Sequence, residues 1–291
     1  MRKICFTLAV MLLLTMLSPV VFAAEQTYGI DNLNNESGDL VIAYLGGSIT
    51  EGAGATGSNR YATQLTNRYF KTKYPSKNVI EVNAGVGGTP SDLGLFRMAK
   101  DVSSKNPDVV FVEFAVNDTG RDEKTVKQNM EGIVRQLSRL PKQPVVIFLY
   151  TAKADFAAVD KTIAYHQKIA DYYGIASINL NSYVKGLVDD KTIIWWDKDV
   201  NGEKNKDLWY SGDGTHPNDK GYTLYTDYIM EQFDKDFGQY FKKLTTRELP
   251  ISGYEYGAPR AVSHNDTNAS YTGSWTVNNS RLTSRFQDGV H

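Results

Sequence analysis

Cysteine is nearly absent from this 291-residue chain, and the single one, Cys5, sits within the N-terminal stretch of two dozen residues. Once that stretch is set aside, disulfide scaffolds, thiolate metal sites and cysteine nucleophiles are excluded. An excess of either charge is also missing, since 32 Lys and Arg stand against 33 Asp and Glu. A chain this close to neutral lacks the basic footprint of a nucleic-acid or anionic-membrane binder, and it argues against a polyanionic substrate. Histidine is scarce, with four in all and no H-x-x-x-H pair, which sets the common zinc hydrolase pattern aside. No G-x-S-x-G elbow is present either, because Thr50 occupies the last glycine's place in Gly46-Gly47-Ser48-Ile49-Thr50. What remains is ordinary folded-protein material: 41% hydrophobic and 22% charged residues, enough for one domain of roughly 200 residues and an appendage.

The first 24 residues read as an address. Arg2 and Lys3 precede the apolar stretch Phe6 to Leu17, and Val21-Phe22-Ala23 fits a small-residue cleavage pattern. The run is shorter than the roughly 20 residues a membrane-spanning helix needs, so a secretory signal peptide cleaved after Ala23 or Ala24 is expected. Cys5 lies before the apolar run, too early for a lipoprotein acceptor. The expectation is a secreted, extracellular, bacterial protein with no stable membrane insertion.

From about residue 40 the pattern alternates. Apolar strands are predicted at Leu40 to Leu45, Val79 to Val82, Val109 to Phe114, Val145 to Leu149 and Ala176 to Ile178. Near-continuous runs such as Val109-Val110-Phe111-Val112 mark strands buried on both faces of a parallel sheet. Helices are predicted at Tyr61 to Lys73, Glu123 to Leu140, Asp155 to Tyr173 and Asn218 to Phe237, and His166 falls on the apolar face of the third as a structural residue. This alternation predicts a three-layer α/β/α sandwich with a central parallel sheet.

In such folds the chemistry gathers where strands end. Ser48 follows the first strand, Asn83-Ala84-Gly85-Val86-Gly87-Gly88 closes the second, and Asn117-Asp118 follows the third. Near the end of the main domain comes Asp213-Gly214-Thr215-His216-Pro217. A serine hydroxyl needs an imidazole to take its proton and a carboxylate to orient that imidazole. Ser48, His216 and Asp213 have those chemistries, while glycines such as Gly88 can turn an amide N–H toward a developing oxyanion and Asn117 can add a side-chain donor. Asp and His also bind cations, but the motif lacks further ligands at metal spacing, so neither a metal nor a cofactor is implied.

Those four blocks, in that order, resemble the SGNH hydrolases, the GDSL-like esterase superfamily, over roughly Asp39 to Phe241. The resemblance implies the flavodoxin-like SGNH hydrolase fold, with Ser48 as nucleophile, His216 as general base and Asp213 as its partner. It also implies an oxyanion hole formed by the Ser48 N–H, the Gly88 N–H and the Asn117 side chain. The nearest branch contains polysaccharide deacetylases such as rhamnogalacturonan and xylan acetylesterases. Two positions depart from the family pattern: Gly47 stands where Asp commonly precedes the nucleophile, and Ala115 where Gly commonly precedes x-Asn-Asp.

An acetylated polysaccharide or oligosaccharide is therefore the expected substrate. Trp195-Trp196, Trp209-Tyr210 and Tyr222 flank the Asp213 to His216 loop, where they serve either sugar stacking or packing. A lipase, thioesterase or aryl esterase using the same residues is a second reading, and a non-catalytic glycan-binding protein is a third. The organisation read from the sequence is a leader at 1–24, an esterase domain at 25–244 and a β-rich extension at 245–291. Short strands in that extension are predicted at Ser274 to Val277 and Leu282 to Phe286, the start of a β-sandwich accessory module.

Overall fold

The computed structural model describes residues 26–197 and 209–253. The predicted leader, with Cys5, and the two C-terminal strand predictions lie outside the described residues. All five predicted strands form one parallel sheet: β1 (Gly38–Gly46), β2 (Lys77–Gly85), β3 (Val109–Glu113), β4 (Val145–Tyr150) and β5 (Ala176–Asn179). Their spatial order is β2-β1-β3-β4-β5. The chain steps from β1 to one neighbour and then returns to the other side for β3, so β1 and β3 flank the point where strand order reverses. In doubly wound sheets the crevice beyond such a switch point is where ligands bind. In register, Gly46 of β1 pairs with Gly85 of β2 and with Glu113 of β3, so three strand ends lie side by side.

Six longer helical segments cover the sheet. These are α1 (Tyr61–Leu65, continuing through a π-turn at Thr66–Phe70 into Lys71–Lys73), α2 (Ser91–Asp101), α3 (Glu123–Ser138), α4 (Phe156–Tyr173), α5 (Leu180–Asp189) and α6 (Asp219–Lys235). Right-handed crossovers put α1 on the opposite face from α2, α3 and α4. On the α1 face, Tyr44 of β1 stacks on Phe111 of β3 with centroids 5.1 Å apart, and Phe70 and Phe233 close over Phe111. Fully burying side chains of this size stabilises the fold by about 1.5–3 kcal/mol each. Among the described residues, no helix is long and apolar enough to cross a membrane.

Helix starts follow their caps. Asp122, Asp155 and Asn218 each accept a bond from the backbone N–H three residues on, which satisfies one of the unpaired donors at the first turn. The predicted starts at Asp155 and Asn218 are thus cap residues one position outside the helix. The predicted helix from Tyr61 to Lys73 is present but widened at its centre, where the buried Thr66 hydroxyl bonds Tyr44 at 2.9 Å. The helices α2 and α5 are additions to the sequence reading. Gly94 weakens the helical signal of α2, yet a Cβ at that position would lie 2.3 Å from the Phe114 ring, so helix packing selects the glycine there.

After α6 and the turn Phe237–Tyr240, the chain runs back across α3 and α4. The Thr245 N–H bonds the Tyr173 carbonyl at 3.0 Å, and Arg135 bonds the carbonyls of Arg247 and Glu248. The buried Glu131 carboxylate receives the Ile251 and Ser252 N–H groups at 2.7 and 2.8 Å, together with the Ser252 hydroxyl.

Candidate active site

Ser48 begins a single helical turn, Ser48–Glu51, directly beyond the end of β1. The turn lies so close to the sheet that neighbouring positions must be glycine. A Cβ at Gly46 would lie 2.1 Å from Thr50 Oγ1, and one at Gly85 would lie 2.1 Å from the Glu51 nitrogen. Side chains fasten the turn from several directions. Arg97 of α2 donates to the carbonyls of Gly46 and Ala84, at 2.8 and 2.6 Å, tying the ends of β1 and β2 together. Tyr222 of α6 donates its hydroxyl to the carbonyls of Ile49 and Ala53, at 3.0 and 2.8 Å. Beneath the turn, the buried Glu113 receives hydrogen bonds from the Thr50 and Thr151 hydroxyls.

His216 lies just before the N-cap of α6 and reaches the serine. Its Nε2 lies 2.8 Å from Ser48 Oγ, and its Nδ1 lies 2.7 Å from Asp213 Oδ2. The other carboxylate oxygen of Asp213 accepts the backbone N–H groups of Thr215 and His216, at 2.8 and 2.7 Å. Burial alone pushes the Asp213 carboxyl up, but the His216 backbone and ring donors, the Thr215 N–H and the His216 charge outweigh it and hold the group below the usual range. An ionised Asp213 therefore fixes which ring nitrogen carries the proton and leaves Nε2 facing the hydroxyl.

Gly214 makes the Asp213 to His216 turn possible, with φ +84°. Its N–H bonds Ser211 Oγ at 2.9 Å, and that hydroxyl in turn donates to the His216 carbonyl at 2.8 Å. The Gly214 carbonyl accepts from the Ala154 N–H at 2.6 Å and from the Trp195 indole at 3.2 Å. Ser211 thus shapes the loop, a role the sequence reading did not assign; its signal was a small polar residue just before Gly-Asp-Gly.

The remaining predicted residues meet in the same place. Gly88 (φ +74°), Asn117, Ser48 and His216 line one open cleft of about 840 Å³, with Glu51, Arg60 and Lys153 along its walls. Gly87, the neighbour of Gly88, donates its N–H to Glu51 Oε2 at 2.9 Å. Asn117 packs its amide against Gly47, where an added Cβ would fall 2.0 Å from Oδ1. The next residue, Asp118, is fully buried and joins three segments: Oδ1 accepts the Ser91 N–H at 2.9 Å, and Oδ2 meets His166 Nε2 at 2.9 Å. His166 is indeed a buried, partnered residue of α4, and its partner directly follows Asn117. Of the flanking aromatics, Tyr222, Trp195 and Trp209 are buried, so packing is their role; Trp195 stacks on Tyr225.

Comparison with known proteins identifies a family and a fold. Residues 44–224 match the GDSL-like lipase/acylhydrolase family. Among solved structures, the chain is similar to a two-domain esterase (CEX) active on acetylated mannans, with 26% identity and a TM-score of 0.74, over 90% of this chain and 68% of that one. It is similar to the same esterase co-crystallised with mannopentaose at 28% identity and a TM-score of 0.64, over 76% and 55% of the two chains. The acetyl xylan esterase AlAXEase shares the fold at 24% identity and a TM-score of 0.51, over 66% of this chain and 99% of that one. No match was found among curated protein sequences. The chain spans about two thirds of the two-domain esterase in one comparison and about half in the other.

Proposed function

The chain belongs to the GDSL-like lipase/acylhydrolase family, and from that membership we propose that it is a serine esterase removing O-acetyl groups from polysaccharides. The observation that carries the proposal is the unbroken row of hydrogen bonds from Asp213 through His216 to Ser48, opening into a cleft shared with Gly88 and Asn117.

Ser48 Oγ attacks the ester carbonyl while His216 Nε2 takes its proton. The carbonyl oxygen gains negative charge and is met by the N–H groups of Ser48 and Gly88 and by the Asn117 amide. The Ser48 N–H suits this task because it belongs to the first turn of a helix, where backbone donors have no partner within the helix. Each such donor contributes about 3 kcal/mol to the transition state. His216 then returns the proton to the departing sugar hydroxyl, and water repeats the sequence to release acetate from Ser48. Asp213 stabilises the imidazolium that forms in each half.

The similar esterase is active on acetylated mannans, and an open cleft suits a polymer that must pass through a site rather than enter it by one end. Glu51, Arg60 and Lys153 along the walls offer hydrogen bonds to sugar hydroxyls. Delivery outside the cell by the leader at 1–24 is part of the same proposal, as is an accessory role for the region beyond 244. The test is acetate release from acetylated mannan, xylan and pectin, with aryl esters of two to twelve acyl carbons alongside, for wild type and Ser48→Ala. Ser48-dependent acetate release that collapses beyond about four acyl carbons is expected. A preference for long chains selects the lipase reading, and wild-type rates in Ser48→Ala reject the mechanism.

A further inference from the structure

We propose that Glu113 is a positioning residue for the nucleophile, its buried carboxylate tying the turn that carries Ser48 to the end of β4 and so holding Ser48 within reach of His216. The inference rests on the esterase reading above, since it assigns a task in the same site.

Glu113 is the last residue of β3, the strand beside β1 at the switch point, and it is fully buried. Packing alone calls for an apolar side chain there, as at the other four positions of β3. A buried carboxylate is unfavourable unless its oxygens are filled by donors. Glu113 fills them from two directions, and each donor is neutral. From the nucleophile turn comes the Thr50 hydroxyl at 3.0 Å. From the end of β4 comes the Thr151 hydroxyl at 2.9 Å. Thr50 lies in the same helical turn as Ser48, two residues on, so the carboxylate holds that turn close to the reacting residue.

An ionised carboxylate can only accept, which orders the surrounding protons. Thr50 gives its proton to Glu113, and the Tyr61 hydroxyl, 2.9 Å away, gives its own to Thr50. On the far side, the backbone beyond Thr151 continues the connection: the Ala152 N–H bonds Tyr225 and the Ala154 N–H bonds the Gly214 carbonyl, in the loop that carries His216. One carboxylate thereby joins the serine turn to the segment that supports the base. The 2.8 Å contact between Ser48 and His216 depends on two segments 168 residues apart, and Glu113 lies between them in the fold. Burial pushes its carboxyl up to about 7 against the opposing effect of Thr151, Thr50 and Gly47, so the accepting form is the one that prevails at pH 8.

Glu113→Gln keeps the shape and removes one accepting oxygen. The measurements are kcat and KM on an aryl acetate at pH 8, with the rate of covalent labelling of Ser48 by a fluorophosphonate and the thermal midpoint of each variant. The expected result is a kcat reduced about 10²-fold, as for a small displacement of reacting groups, with KM within about two-fold of wild type. Labelling slows in parallel and the midpoint is retained. Thr50→Val behaves like Glu113→Gln, and Thr50→Ser, which keeps the hydroxyl, restores most of the rate. Wild-type kcat and labelling in folded Glu113→Gln or Thr50→Val overturns the inference, as does a loss confined to the thermal midpoint. A wild-type protein that is not labelled at Ser48 overturns the esterase reading itself, which separates the two failures.

Discussion

Replacing Gly47 by alanine adds one methyl group at the point where the strand end meets Asn117. That carbon would lie 2.0 Å from Asn117 Oδ1, 2.7 Å from Cγ and 3.1 Å from Nδ2, where ordinary contact begins at 3.4 Å. The amide must therefore withdraw by roughly 1.4 Å. Its backbone cannot follow easily, because Asp118 is held by Ser91 and His166 at 2.9 Å each. The side chain has to rotate instead, and the oxyanion donor proposed for Asn117 is then lost. Loss of one such donor lowers kcat about 10²- to 10³-fold, equivalent to about 2.7–4 kcal/mol. The assay is steady-state hydrolysis of an aryl acetate by Gly47→Ala, Asn117→Ala and the double variant. Each single variant is expected to lose that factor and the double variant to lose no more than either, since both remove one interaction. Near-normal kcat in Gly47→Ala, or losses that multiply in the double variant, refutes the reasoning.

Asp213→Asn preserves the shape of the loop but no longer stabilises the imidazolium or selects its tautomer, and kcat is expected to fall about 10⁴-fold with KM little changed. A loss under ten-fold, measured on the same aryl acetate, contradicts the role given to Asp213. Glu113 makes a separate prediction for stability. Burial raises its carboxyl from 4.5 to about 7, so between those values the folded protein holds a proton that the unfolded chain has released. The stabilisation is full below about pH 4.5 and is lost as pH rises to about 7, by roughly 3 kcal/mol. Urea unfolding of wild type and Glu113→Gln from pH 4.5 to 8 should show their difference shifting by that amount in favour of the variant, and a pH-independent difference rejects it. Finally, Glu131→Gln weakens the bonds to Ile251 and Ser252, and limited proteolysis is expected to cut residues 245–253 faster than in wild type while acetate release is unchanged. Equal cleavage rates exclude Glu131 as the anchor.

The parallel sheet was legible because a strand buried on both faces leaves a continuous apolar run, and β1, β3 and β4 all carry one. Ser48, Gly88 and Asn117 were legible as neighbours because polar and glycine-rich sequence at consecutive strand ends is forced into one crevice by the topology, whereas Asp213 and His216 were legible from the base and carboxylate that a serine nucleophile needs. What escaped notice are contacts whose partners lie far apart in sequence. His166 reads as a residue on an apolar helix face until α4 brings it to Asp118. Glu113 reads as the polar end of an apolar run, and nothing local announces that Thr50 and Thr151 will converge on it. Gly47 illustrates the same limit. Where the family commonly has Asp, the glycine reads as a departure, whereas in the fold it makes room for the Asn117 amide. The helix α2 was hidden because Gly94 answers to the Phe114 ring and not to helix propensity.

The hydrogen bond between Ser48 and His216 closes a loop of 168 residues. Bringing such distant points together is among the slower and later events of folding, because its entropic cost is met only when the intervening strands are paired. A chain emerging from synthesis with β1 to β5 complete but α6 unfinished thus has Ser48 in place while the segment just before α6, which carries His216, is not yet anchored. On the proposed mechanism, ester-cleaving power arrives only once α6 has docked. The enzyme's reactivity is thereby timed by its own assembly, and catalytic activity becomes a direct readout of whether both ends of the domain have come home.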